Sequence, residues 1–160
     1  MNKLSIAIID TIGLAYDGDT LKTRGLGGSE SAVILMSKEL ARAGFDVTVF
    51  NDCQDDLAEP GVYDGVTFKP VDEVVNDYQF DIVVSSRTVV PFVPDYMYEA
   101  FRHIMGFRHD PAKFEKIRTN TKYKILWMHD TFCQGDINVE ELVTGGYIDE
   151  LFTLSDFHTA

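Results

Sequence analysis

Six residues, Gly25-Leu26-Gly27-Gly28-Ser29-Glu30, have the types and spacing to hold a ligand against bare backbone. Glycine has no Cβ, so a bound group can approach its main chain closely. The residues after it, 29–43, read as an amphipathic helix that Gly44 ends. Ser29 is placed to cap that helix, with Glu30 in its first turn. Such a helix aims free N–H groups and a positive dipole end at the loop. The chemistry that suits this arrangement is binding of a phosphate, or of a sugar hydroxyl in close backbone contact. The structural alternative is a surface loop whose glycines only set the helix entry angle.

Other chemistry-bearing residues follow strand-like runs. His129-Asp130 comes after residues 122–128, and a histidine there can exchange a proton with a substrate hydroxyl at neutral pH. Asp130 could orient that histidine or bind a sugar hydroxyl. Arg87 follows residues 80–85 and suits a phosphate or a carboxylate. Its alternative is an arginine salt-bridged within an acidic surface. His158 follows residues 150–154.

Several familiar chemistries are argued against. A dinucleotide fingerprint needs G-x-G-x-x-G directly after the first strand. Here Glu30 stands where the third glycine belongs, and the glycines come well after the strand. No Gly-Lys-Ser/Thr loop occurs. Asp17-Gly18-Asp19 has the D-x-D spacing of some divalent-ion sites, but no apolar strand runs into it and Asp-Gly is common turn chemistry. The four histidines match no metal spacing, so no metal is expected.

These residues need a scaffold, and the hydropathy pattern supplies one. Residues 4–9 form a nearly continuous apolar run, as in a buried parallel strand. Further strands are expected at 46–50, 65–68, 80–85, 122–128 and 150–154. Helices are expected at 29–43, 71–77, 96–105 and 137–143. Strands alternating with helices predict an α/β fold: a Rossmann-like open, mainly parallel sheet with helices on both faces. In such sheets ligands bind outside the carboxyl ends of the strands. The glycine loop, Arg87, His129-Asp130 and the 155–158 segment all fall at that edge. Ser155 resembles another helix cap, so the chain reads as one domain, 1–160, cut at the opening of a βα unit.

Composition narrows the class. The 160 residues carry a formal net charge of −12 and are 45% apolar. No basic stripe is visible, which argues against nucleic acid. No apolar run approaches a membrane span, so membrane contact is expected to be peripheral at most. No secretory signal pattern opens the chain, and two distant cysteines suggest a reduced, cytoplasmic setting.

The order of these motifs resembles a known family. A long loop with Gly27-Gly28-Ser29-Glu30 follows the first strand; a later strand runs into Trp127-Met128-His129-Asp130; another runs into Leu154-Ser155-Asp156-Phe157-His158. This is similar to the N-terminal domain of GT-B glycosyltransferases of the retaining group called family 4, over nearly the whole chain. The resemblance implies a nucleotide-sugar donor such as a UDP- or GDP-sugar, a sugar or glycan acceptor, and retention of configuration without a metal. It also implies a C-terminal donor domain with a Glu-x7-Glu motif, without which the chain alone would be inactive. By that resemblance His129 and Asp130 sit beside the reacting sugar. Gly27, Gly28, Ser29, Glu30, Arg87 and His158 lie at substrate or diphosphate. The competing expectations are a non-catalytic nucleotide- or sugar-binding domain of the same fold and a Rossmann-type oxidoreductase fragment.

Overall fold

Five consecutive residues, Ser5–Ile9, form strand β1, and all but the first are buried. A strand covered on both faces must be apolar at every position, because successive side chains point to opposite sides. Ala7 and Ile9 accordingly join one core cluster, and Ile6 and Ile8 the other. A computed structural model describes residues 2–77, 79–94, 96–97, 110–129 and 138–153.

Around β1 lie β2 (Asp46–Asn51), β3 (Gly61–Tyr63), β4 (Val66–Pro70), β5 (Ile82–Ser86), β6 (Tyr123–Trp127) and β7 (Glu150–Phe152). They make one seven-stranded sheet in the order β3-β4-β2-β1-β5-β6-β7. Every pairing is parallel except β3 with β4. The fold is therefore the expected α/β, Rossmann-like open sheet. The chain moves outward from β1 to β2 and β4, then returns to the far side of β1 for β5, β6 and β7. The order reverses between β1 and β5, the place where open α/β sheets bind ligands at the carboxyl ends of their strands.

The helices are α1 (Thr20–Thr23), α2 (Gly28–Arg42), α3 (Glu115–Asn120) and α4 (Val139–Thr144). Helix α2 links β1 to β2 and packs Val33 and Ile34 on the cluster that holds Ile6 and Ile8. The opposite cluster takes Val71 and Val74 from a 3-10 turn, Val71–Val75, with Phe114, Ile117 and Leu142. Helices and turns thus pack on both faces of the sheet.

Three details differ from the sequence expectation. Where the sequence predicts one strand at 65–68, the structure has the hairpin β3–β4. Its turn residues Asp64 and Gly65 both have positive φ, 51° and 83°. Two left-handed residues are what a tight two-residue hairpin needs. The segment expected as a helix at 71–77 is a 3-10 turn, and Pro70 at its N-cap begins it. Helix α2 begins with Gly28, capped by Gly27, so Ser29 lies inside the first turn and caps nothing. The inward face of α2 is Glu30, Val33, Ile34 and Ser37, whereas Met36 is exposed. Met36 and Leu40 instead wall an apolar groove of about 490 Å³ with Ile82, Trp127 and Phe152. Gly44, at φ 101°, ends α2 as expected. The helix expected at 96–105 falls mainly outside the described residues. Among the described residues, no helix is long and apolar enough to cross a membrane.

Candidate functional site

Asp10 is the first residue after β1, and its backbone N–H donates to Phe50 O at 2.9 Å. Its side chain is fully buried. The Tyr16 hydroxyl donates to Asp10 Oδ2 at 2.9 Å. Burial is the largest influence on this carboxyl and pushes it above the ordinary 3.8, against the pull of Arg87 and Tyr16. Burial also drives the Tyr16 hydroxyl well above 10, so it stays protonated and donates.

Arg87 arrives from the next strand. Its backbone N–H donates to Trp127 O at 2.9 Å, and its φ is 67°. A left-handed φ is uncommon in a non-glycine residue and marks a place where surrounding structure dictates the backbone. Nη2 of Arg87 lies 3.4 Å from Asp10 Oδ1 and 3.4 Å from Glu30 Oε1. One guanidinium therefore answers two carboxylates. Removing it would leave Asp10 buried beside a like charge, a loss of about 3–5 kcal/mol for a buried pair broken on one side.

Glu30 closes the cluster from the first turn of α2. Its Oε1 also accepts the Leu14 backbone N–H at 3.3 Å. The two glycines that flank it are small for a reason. A Cβ on Gly13 would lie 3.1 Å from both Asp10 Oδ2 and Glu30 Oε1, and a Cβ on Gly27 would lie 2.4 Å from Glu30 Oε2. Gly25 and Gly28 differ: a Cβ on either meets nothing within 4 Å. No described neighbour requires glycine at those two positions, and their backbone faces open space at the start of a fifteen-residue helix. That combination leaves room for a ligand against the main chain.

The long loop is a folded unit. The Asn51 amide donates to Tyr16 O at 2.7 Å, and Arg24 bonds Ala15 O. Asp17 Oδ1 accepts from Asp19 N at 2.9 Å and from the Thr20 hydroxyl at 3.1 Å, while its Oδ2 accepts from Glu59 N at 3.0 Å. The D-x-D segment is thus turn chemistry that starts α1. A Cβ on Gly18 would lie 2.2 Å from Tyr63 Cβ, so the β3 hairpin closes over it.

His129 sits two residues beyond β6, with its ring 4.4 Å from that of Trp127 at an interplanar angle of 43°. Strand β5 separates β6 from β1, so His129 lies at the same carboxyl edge as the loop, one strand beyond Arg87. Of the sequence-predicted residues, the structure brings Glu30 and Arg87 into contact and puts Gly27 against Glu30. Gly28 and Ser29 lie in the first turn above them. Asp130 and His158 lie outside the described residues. Arg87 takes the salt-bridged alternative, and Glu30 is 6% exposed and turned inward as its partner. Sequence reasoning missed Asp10, Tyr16 and Gly13. Asp10 had a usable signal, a lone acid ending an apolar run at the sheet edge where strand order reverses. Tyr16 and Gly13 had none, because only the folded loop brings them back to Asp10.

No family model, no curated protein and no solved structure matches the chain. The site offers open glycine backbone, the N–H groups of a helix start, and a histidine on the same edge.

Proposed function

We propose that this chain is the acceptor-side, Rossmann-like domain of a retaining glycosyltransferase acting on a nucleotide-sugar donor in the cytoplasm. The observation that carries the reading is the open backbone of Gly25, just before α2, and of Gly28, its first residue, at the sheet edge where strand order reverses. The motif order that resembles family 4 enzymes supports the same reading. In transfer, the bond between the anomeric carbon and the diphosphate oxygen breaks. A bond to the acceptor oxygen forms on the same face, and the acceptor proton leaves with the diphosphate. Negative charge grows on the departing oxygen, and preorganised backbone N–H groups at the loop answer it without reorganisation. His129 stands at the edge where a sugar hydroxyl would lie. The donor is a UDP- or GDP-sugar, and the acceptor is a sugar or glycan. No metal is required by this reading, nucleic acid is not a partner, and membrane contact is peripheral.

Titration calorimetry with UDP, GDP and NAD tests it. The proposal expects heat with UDP or GDP that is lost in Gly28→Val, and none with NAD. Preferential NAD binding would move the chain to the oxidoreductases. Nucleotide or sugar binding by the chain, with no transfer by the longest natural protein that contains it, would leave a non-catalytic binding domain.

A further inference from the structure

We infer that Arg87 is a positioning residue: it clamps the glycine loop through Glu30 and Asp10 and does not itself hold the ligand. The inference rests on the reading of that loop as a ligand cradle, and it changes the role that the residue type alone suggests. Arginine at a strand end beside a glycine loop invites assignment to a phosphate. Here its charge is already engaged by two carboxylates, each 3.4 Å from Nη2. A ligand phosphate would meet both carboxylates in the same place. The Nε donor is buried and has no hydrogen-bond partner among the described residues, so the exposed part of the side chain is small.

What Arg87 does hold is the loop. Glu30 Oε1 accepts from Leu14 N at 3.3 Å as well as from Arg87. Asp10 Oδ1 accepts from Ile12 N at 3.4 Å as well as from Arg87. The guanidinium thus fixes two carboxylates that each grip the chain leaving β1, and one of them belongs to the first turn of α2. Gly13 and Gly27 leave the space that the Glu30 carboxylate fills. On the other side, the Arg87 main chain is bonded to Trp127 O, two residues before His129. Arg87 therefore sets the glycine loop relative to the β6 edge. A positioning residue of this kind governs how well formed the cradle is before any ligand arrives.

Amide hydrogen exchange and nucleotide titration together decide the matter, using Arg87→Lys, Arg87→Met and Glu30→Gln. Lysine keeps the charge but not the shared geometry, and serves as the test if the methionine variant does not fold. In ligand-free protein, each variant should speed exchange of the Leu14 amide about tenfold, the loss expected for a bond to a charged acceptor. Exchange at Ile8 and Val49 in the sheet should stay unchanged. Arg87→Met combined with Glu30→Gln should exceed either single variant by less than about twofold, because both act through one contact. UDP or GDP affinity should fall in step with Leu14 protection. Unchanged Leu14 exchange with nucleotide binding abolished would make Arg87 a ligand contact and overturn the inference. Unchanged exchange with unchanged binding would overturn it too. If the wild type binds neither nucleotide, the functional reading fails while the exchange results still judge the clamp.

Discussion

Alanine at position 27 and alanine at position 28 should move stability in opposite directions, although the two glycines are adjacent, one the N-cap of α2 and the other its first residue. A Cβ on Gly27 lands 2.4 Å from Glu30 Oε2, where ordinary contact begins at 3.4 Å. The Glu30 carboxylate must retreat by about an ångström, and it is not free to do so at no cost. Its bonds to Leu14 N and Arg87, at 3.3 and 3.4 Å, already lie near the outer limit. A bond to a charged group contributes about 1.5–3 kcal/mol when well formed, and these long ones contribute less. Alanine is also a poorer N-cap than glycine. Together these give a loss of about 1–3 kcal/mol, or a Tm lowered by about 3–8 °C for a chain of this size. A Cβ on Gly28 meets nothing, and its φ is not in the left-handed region. There the variant gains by restricting the unfolded chain, about 0.4–1 kcal/mol and a Tm raised by about 1–3 °C. Scanning calorimetry on Gly27→Ala and Gly28→Ala reads both shifts. A Gly27→Ala protein as stable as the wild type would refute the reasoning, because it would mean that the Glu30 carboxylate is not pinned.

Three further outcomes follow from particular contacts. Asp81 accepts from Ser5 N at 2.9 Å and pairs with Lys122 at 2.7 Å, and these partners hold its carboxyl at about 2, below the ordinary 3.8. Its contribution is present above 3.8 and is lost as pH falls through about 2; acid unfolding curves of Asp81→Asn should lack that part of the wild-type loss, and identical curves would count against it. Cys53 is fully buried, and burial pushes its thiol up to about 12. In a Cys133→Ser background it should resist Ellman's reagent at pH 8 until denaturant is added, and rapid native labelling would contradict the packing. Trp127 is the single tryptophan and its ring lies 4.4 Å from His129. Its emission should therefore change in intensity or wavelength in His129→Leu at a fixed pH; a spectrum unchanged by the substitution would show that the rings do not stay in contact.

The scaffold was legible because burial on both faces forces continuous apolar runs. Residues 4–9 and 80–85 could hardly be anything else, and parallel strands followed from the helices between them. The β3 hairpin was missed although Asp64-Gly65 is a strong turn signal, because only three residues precede it in the strand. Met36 shares the apolar spacing of α2 and yet is exposed, since helical spacing shows that apolar positions align, not which neighbour covers them. At the site, the sequence marks the glycine loop as the place where backbone lies open, but not the contacts that its residues make. The sequence offers Arg87 either a ligand or a salt bridge and leaves Glu30 facing a ligand. Their mutual contact depends on φ at Arg87 and on the reach of a guanidinium across the reversal of strand order, and sequence spacing records neither. The same limit divides the glycines. Gly27 is small to admit Glu30 and Gly28 is small with nothing against it, a distinction invisible in the string Gly27-Gly28.

The account's central claim is that a nucleotide sugar lies against the open glycine backbone at this edge. Its most direct test is a two-dimensional NMR titration of the isotopically labelled chain with UDP-glucose and GDP-mannose. The account predicts that one of them shifts the amides of Gly25, Gly28 and Ser29 together with the His129 ring, while Val62 on the far edge strand stays still. Shifts confined to other surfaces, or none at millimolar ligand, would contradict it.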